Sequence, residues 1–98
     1  MYRTKIYYKD ENYTVTLEEL NEELFIHVKF KKFSKTILLD ALKVWAEIKA
    51  KCYWLGYEHI YTYTKDDRMS RLFPGAHEVT EFEDARLGKF KVLQWELN

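Results

Sequence analysis

Between an apolar strand and a long amphipathic helix the chain carries Lys31-Lys32-Phe33-Ser34-Lys35-Thr36. Lysines beside a helix start suit phosphate binding. The helix end offers unpaired amides and the positive pole of its dipole, and the ammonium groups add charge. Lys31, Lys32, Ser34 and Lys35 are therefore the candidate cofactor-binding residues. The run has no glycine, and side chains at every position obstruct the close backbone approach that pyrophosphate cradles use. A solvated basic loop is the competing reading. His27 and His59 share a phase on their strands, but two histidines without a third ligand do not make a metal site, and none is expected. The sequence holds no Ser/His/Asp set, no P-loop and no CxxC pair. Glu18, Glu19, Glu22 and Glu23 form an acidic stretch around a tight turn, expected to be exposed and to suit a basic partner surface.

The elements that would position these groups follow from periodicity. Tyr2, Thr4, Ile6 and Tyr8 alternate with Arg3, Lys5 and Tyr7, and the same period of two runs through Tyr13, Val15 and Leu17, then through Leu24, Ile26, Val28 and Phe30. The connections are too short for anything but an antiparallel meander. Leu38, Ala41, Trp45, Ile48, Cys52 and Leu55 recur every three or four residues, predicting a helix over Lys35 to Leu55, capped by Ser34 and closed by Gly56. Leu38, Trp45, Ile48 and Cys52 are expected to pack on the sheet. Glu58 to Thr64 reads as an interior strand. Strand, helix, strand then predicts a right-handed parallel crossover, with Leu24–Phe30 and Glu58–Thr64 side by side and splaying at their ends. Asp66 or Thr64 would cap a short helix through Arg68 to Phe73, which Pro74-Gly75 stops. Two more strands, His77–Phe82 and Lys89–Leu97, close the chain. In the last one the apolar phase slips from Phe90/Val92 to Leu93/Trp95/Leu97, a sign of a bulge or of burial on both sides.

Ninety-eight residues make one domain, spanning 1–98. At 47% hydrophobic and 33% charged the chain is not disordered, and an aromatic share of 17% compensates for a thin core. A formal net charge of zero argues against a nucleic-acid binder, and leaves little repulsion between copies, which allows a homo-oligomer. Cys52 is the single cysteine, so no intrachain disulfide forms, and its place on the apolar stripe makes it a small buried hydrophobe. No apolar leader opens the chain and no run approaches the roughly 20 residues that span a bilayer. A cytoplasmic protein without a membrane partner is expected.

The order β-β-β-α-β-α-β-β resembles the GCN5-related N-acetyltransferase (GNAT) fold without its two early helices. The implied class is α+β: a mixed, mostly antiparallel sheet with one parallel β-α-β crossover. Thr62 to Phe73 follows the spacing of the family's Thr-x-x-x-Asn-x-x-Ala-x-x-Leu-Tyr pattern, with Asp66 for the Asn and Phe73 for the Tyr. The resemblance implies that Lys31 to Thr36 stands where the family holds the pyrophosphate of acetyl-CoA. It also implies that Phe73 stands where a Tyr protonates the departing thiolate, a role that needs a hydroxyl. Glu58 is a carboxylate at the head of a later strand, a candidate general base only by this family resemblance. An exposed strand-end charge is the competing reading there. Without the early helices, half of the acceptor groove is missing. Ser70 to Val79 and Lys91 to Leu97 are similar to acetyltransferase-like proteins of tailed phages. Together these imply a non-catalytic, phage-encoded domain, in the host cytoplasm or the virion, that contacts a host or virion protein and uses no cofactor. The alternative is a minimal acetyl-CoA-dependent N-acetyltransferase whose Lys31, Lys32 and Lys35 hold the phosphates. A third reading is a small-molecule or nucleotide binder built around Tyr61 and Tyr63.

Overall fold

The alternating segments form strands and the three-to-four-residue stripe forms a helix. In chain order the elements are β1 (Tyr2–Lys9), β2 (Tyr13–Leu20), β3 (Glu23–Phe30), α1 (Lys35–Trp54), β4 (His59–Thr64), α2 (Arg68–Leu72), β5 (His77–Asp84) and β6 (Gly88–Glu96). They are seen in a computed structural model that describes residues 2–97. The strands make one six-stranded sheet in the order β1-β2-β3-β4-β6-β5. Only β3 and β4 run parallel, and every other neighbouring pair is antiparallel. The class is α+β with a mixed sheet, as the residue pattern predicts.

Local chemistry fixes the turns. Asp10 accepts hydrogen bonds from the amides of Asn12 (2.7 Å) and Tyr13 (3.0 Å), which closes the first hairpin. In the second, Asn21 and Glu22 take φ of 52° and 67°, the left-handed pair that a two-residue hairpin needs to match strand twist. Ser34 Oγ accepts the Ile37 amide at 3.2 Å and caps α1. At the other end Gly56, at φ 95°, lets its own amide reach the Tyr53 carbonyl (3.0 Å) and the Tyr57 amide reach that of Cys52 (3.1 Å). This is the glycine-closed helix end in which two orphan carbonyls are satisfied at once.

α1 covers one face of the sheet. Its buried residues are Ala41, Val44, Trp45, Ile48 and Cys52, with Ile37 packed against the same core. Two members of the expected stripe are corrected. Leu38 lies at the margin of the stripe and is only half-buried. Leu55 is in phase but sits one residue past the helix end as its C-cap, and it is 76% exposed. Trp45 meets Phe73 and Trp95 edge to face, with ring centroids 5.8 and 5.0 Å away. Trp95 Nε1–H donates to the Phe73 carbonyl at 3.0 Å, which ties the end of α2 to β6. Tyr13, fully buried, donates to Asp40 at 2.7 Å and ties α1 to β2. Burial first, and then the Asp40 carboxylate, holds the Tyr13 phenol well above its ordinary range.

Both helices lie on the same side of the sheet, since Phe73 packs on Trp45 while Met69 and Leu72 stand beside Val28 and Phe30. The phase slip in β6 is burial on both sides: Leu93 and Trp95 pair with Thr62 and Ile60 on the helix side, and Val92 and Gln94 pair with Tyr63 and Tyr61 on the other. The register shift itself falls in β5, between Glu78 and Thr80.

Candidate functional site

Because β3 and β4 are parallel, the segments that follow them emerge at the same end of the sheet. The two strands are in register at a single pair, Phe25 and Tyr61, whereas their outer neighbours are paired along their lengths. Toward their C-terminal ends a cleft of about 290 Å³ opens between Val28–Phe30 and Thr64. It shares Phe30, Arg68 and Leu72 with a second cleft of about 540 Å³, which adds Lys31, Lys32, Phe33 and Arg71. The combined hollow has an apolar floor and a cationic rim.

The rim is only partly neutralised. Asp66 Oδ2 accepts two hydrogen bonds from the Arg68 guanidinium at 3.0 and 2.9 Å, and Oδ1 accepts the Arg68 amide at 3.0 Å. Those bonds hold the Asp66 carboxyl below the usual carboxylate range. Asp66, rather than the geometric N-cap Asp67, therefore serves the first turn of α2. Among the described residues Lys31, Lys32 and Arg71 enter no ion pair. Such a rim can receive an anion through side-chain cations, not through a nest of backbone amides.

The other sequence candidates are dispersed. The Ser34 hydroxyl is committed to the helix cap. Lys35 is exposed at the first position of α1. Glu58 precedes β4 and so stands at the opposite end of that strand from the lysine loop. It is exposed and borders a shallow depression with Glu22, Glu23 and Gly56. The structure does not bring Glu58 and the lysines together. Phe73 is 1% exposed, a core side chain rather than a group facing the cleft.

The acidic stretch does not form one surface. Successive strand residues point to opposite faces, so Glu18 and Glu19 part company. Glu18 is buried, 6% exposed, which corrects its expected exposure. Its Oε1 lies 3.5 Å from His27 Nε2 and 3.4 Å from the Tyr63 hydroxyl. Glu19 turns to the helix side, accepting from Arg3 Nε and from the Tyr57 hydroxyl, both at 2.9 Å. These bonds hold its carboxyl below the usual range. Only Glu22 and Glu23, at the hairpin tip, remain fully exposed.

Glu18, His27 and Tyr63 belong to the face that carries no helix. Around them the rings of Phe25, Tyr61, Tyr63, Phe82 and Phe90 form a connected set. Phe25 lies 5.5 and 5.9 Å from Tyr61 and Tyr63, Tyr63 lies 5.9 Å from both Phe82 and Phe90, and Phe82 stacks on Phe90 at 5.2 Å. Among the described residues no group of three or more His, Cys, Asp or Glu could hold a metal ion. Burial pushes the Cys52 thiol up, away from the reactive thiolate.

Sequence reasoning missed Arg68 and Arg71 as partners of the lysine loop. The signal was present: a parallel β3–β4 pair must bring whatever follows β4 beside whatever follows β3, and α2 begins with an arginine three residues before another. It also missed the buried Glu18, whose phase opposite to Tyr13, Val15 and Leu17 was the clue. The chain matches no family model, no curated protein and no solved structure. No helix among the described residues is long and apolar enough to cross a membrane.

Proposed function

We propose that this chain is a non-catalytic domain of acetyltransferase-like fold that works by binding another protein through the helix-free face of its sheet. The observation that carries the reading is the aromatic set on that face. Phe25, Tyr61, Tyr63, Phe82 and Phe90 touch one another where a second layer of helices would ordinarily make a core, and Phe82 is 42% exposed. Aromatic side chains are enriched at protein interfaces. The loss of chemistry fits: Phe73 has no hydroxyl and is locked in the core, and Lys31 to Thr36 has no glycine. A phage origin, with a host or virion protein as partner, rests on the resemblance of Ser70–Val79 and Lys91–Leu97. A photo-crosslinking residue at Phe82, in the cells that make the protein, should give one discrete adduct that disappears with Tyr61→Asp. The same probe at Lys43 on the outer side of α1 should give none. Equal labelling from the two positions would refute the proposal.

The cationic cleft favours a second reading, a minimal acetyl-CoA-dependent acetyltransferase. Calorimetry separates the two. The non-catalytic reading expects no micromolar binding of acetyl-CoA. Tight binding that Lys31→Ala, Lys32→Ala and Arg71→Ala abolish would make the enzyme the better reading.

A further inference from the structure

The two ends of α1 are opposite in charge and complementary in shape. At its C-terminal end Trp54 is 85% exposed, Leu55 76% and Tyr53 55%. Three adjacent large apolar side chains in water are uncommon on a monomer surface and mark a contact site. Around them lie carboxylates: Glu22, Glu23 and Glu58 border the depression at Gly56, the residue after Leu55. Lys51 lies over the Tyr7 ring at 5.2 Å, and Arg3 pairs with Glu19. At the N-terminal end is the cleft of about 540 Å³ floored by Phe30, Phe33 and Leu72 and rimmed by Lys31, Lys32, Arg68 and Arg71. Twenty residues of helix separate these features by about 30 Å, so no molecule can join its own two ends.

We infer that a second copy of the chain fills the cleft: Trp54 and Leu55 of one molecule enter the Lys31–Arg71 cleft of the next, head to tail. The cleft lies in the range of about 300–1,000 Å³ that encloses drug-sized groups, ample for an indole and an isobutyl side chain. Glu22, Glu23 and Glu58 then meet Lys31, Lys32 and Arg71. Contact of like end with like end is disfavoured, because two Trp54 ends would bring acid against acid and two clefts would bring base against base. The zero net charge adds no overall repulsion to a contact between copies. A heterologous contact repeats at every molecule, giving a closed ring or an open chain. The inference is independent of the helix-free face, which such an assembly leaves free.

Sedimentation velocity tests it with two variants at exposed positions. Trp54→Ala/Leu55→Ala removes the knob and keeps the cleft. Lys32→Glu/Arg71→Glu reverses the rim and keeps the knob. Circular dichroism confirms that each is folded. The native chain is expected to associate with rising concentration and to dissociate with rising salt, since exposed charges are screened. Each variant alone should be a monomer, and an equimolar mixture of the two should form a dimer and stop there. A native chain that stays monomeric to about 1 mM, where only very weak contacts remain unfilled, would overturn the inference. So would association that either variant leaves intact, or a mixture of the variants that stays monomeric.

Discussion

Trp45 and Trp95 offer a paired test of how the core is built. Both are buried, at 4% and 2% exposure, and their rings are in contact. Their indole N–H groups differ. That of Trp95 donates to the Phe73 carbonyl at 3.0 Å, whereas that of Trp45 has no acceptor. The nearest void is about 10 Å³ and is lined by Val15, Ile26, Val28, Ala41, Ile48 and Phe73, too small and too apolar to hold a bound water. Replacing each Trp by Phe loses similar apolar surface and leaves a similar gap, so those costs largely cancel between the variants. What remains is the polar term. Trp45→Phe removes a buried orphan donor and gains back part of its desolvation cost, about 1–3 kcal/mol, while Trp95→Phe forfeits a hydrogen bond worth about 0.5–1.5 kcal/mol. Trp95→Phe should therefore be the more destabilising by about 0.5–4.5 kcal/mol. Trp45→Ala, which opens a true cavity, should cost about 3–5 kcal/mol. Urea unfolding followed by far-UV circular dichroism reads these differences without depending on the indoles that are being removed, and equal slopes would show that the denatured states are comparable. If Trp45→Phe proved as costly as Trp95→Phe, the account of the core around Phe73 would be wrong.

A hydroxyl at position 73 should not create chemistry: Phe73→Tyr places a phenol among Trp45, Trp95 and the sheet, and is expected to lower stability by about 1–3 kcal/mol with no acetyl transfer above background in a thiol-release assay. A folded, more active Phe73→Tyr variant would contradict the placement of that side chain. Acid should destabilise the protein through Asp10, Glu19, Asp66 and Asp84, whose carboxyls are held low in the fold by Tyr8, Arg3, Arg68 and the Arg86 amide respectively, each the largest of its influences. A depressed folded value means that the stabilisation is complete above the unfolded pKa, near 4, and is lost as pH falls through the lower folded one. Melting temperature should thus drop below about pH 4, and Asp10→Asn should flatten part of that drop. A Tm profile that Asp10→Asn leaves unchanged would refute the assignment.

What was legible in the residues was whatever repeats along the chain. Period-two alternation gave β2 and β3, and the recurrence of Ala41, Trp45, Ile48 and Cys52 gave α1, because each is a local consequence of one buried face; alternation marked β1 as a strand but not its faces, since Ile6 is 56% exposed and the register shifts between Ile6 and Tyr8. The parallel β3–β4 pair followed from the length of the connection. The site was less legible, for two reasons. Burial depends on both faces of the sheet, and period two alone does not say that Glu18, on the face without a helix, is closed over by His27 and Tyr63 from two different strands. Convergence in space also depends on topology: Lys31 and Arg71 are forty residues apart and meet only because β3 and β4 emerge side by side. The end of α1 was misjudged by one residue, which sufficed to move Leu55 from core to solvent.

Phe73, Asp66 and Ser34 each have a mechanical role in the fold. Phe73 closes the core between Trp45 and Trp95 and lends its carbonyl to Trp95. Asp66 holds Arg68 and the first turn of α2. Ser34, beside the glycine-free lysine run, caps α1. At the cleft beside the C-terminal ends of β3 and β4, Lys31, Lys32 and Arg71 enter no ion pair among the described residues. At the far end of α1 the acids of the hairpin tip are in the same position, beside an indole in water. Burial and hydrogen bonding within the domain account for the core, the caps and the turns. They do not account for Trp54 and Leu55, whose exposure costs solubility and yields nothing to the isolated fold. The surfaces that folding leaves unexplained lie at the two ends of one helix, with opposite sign.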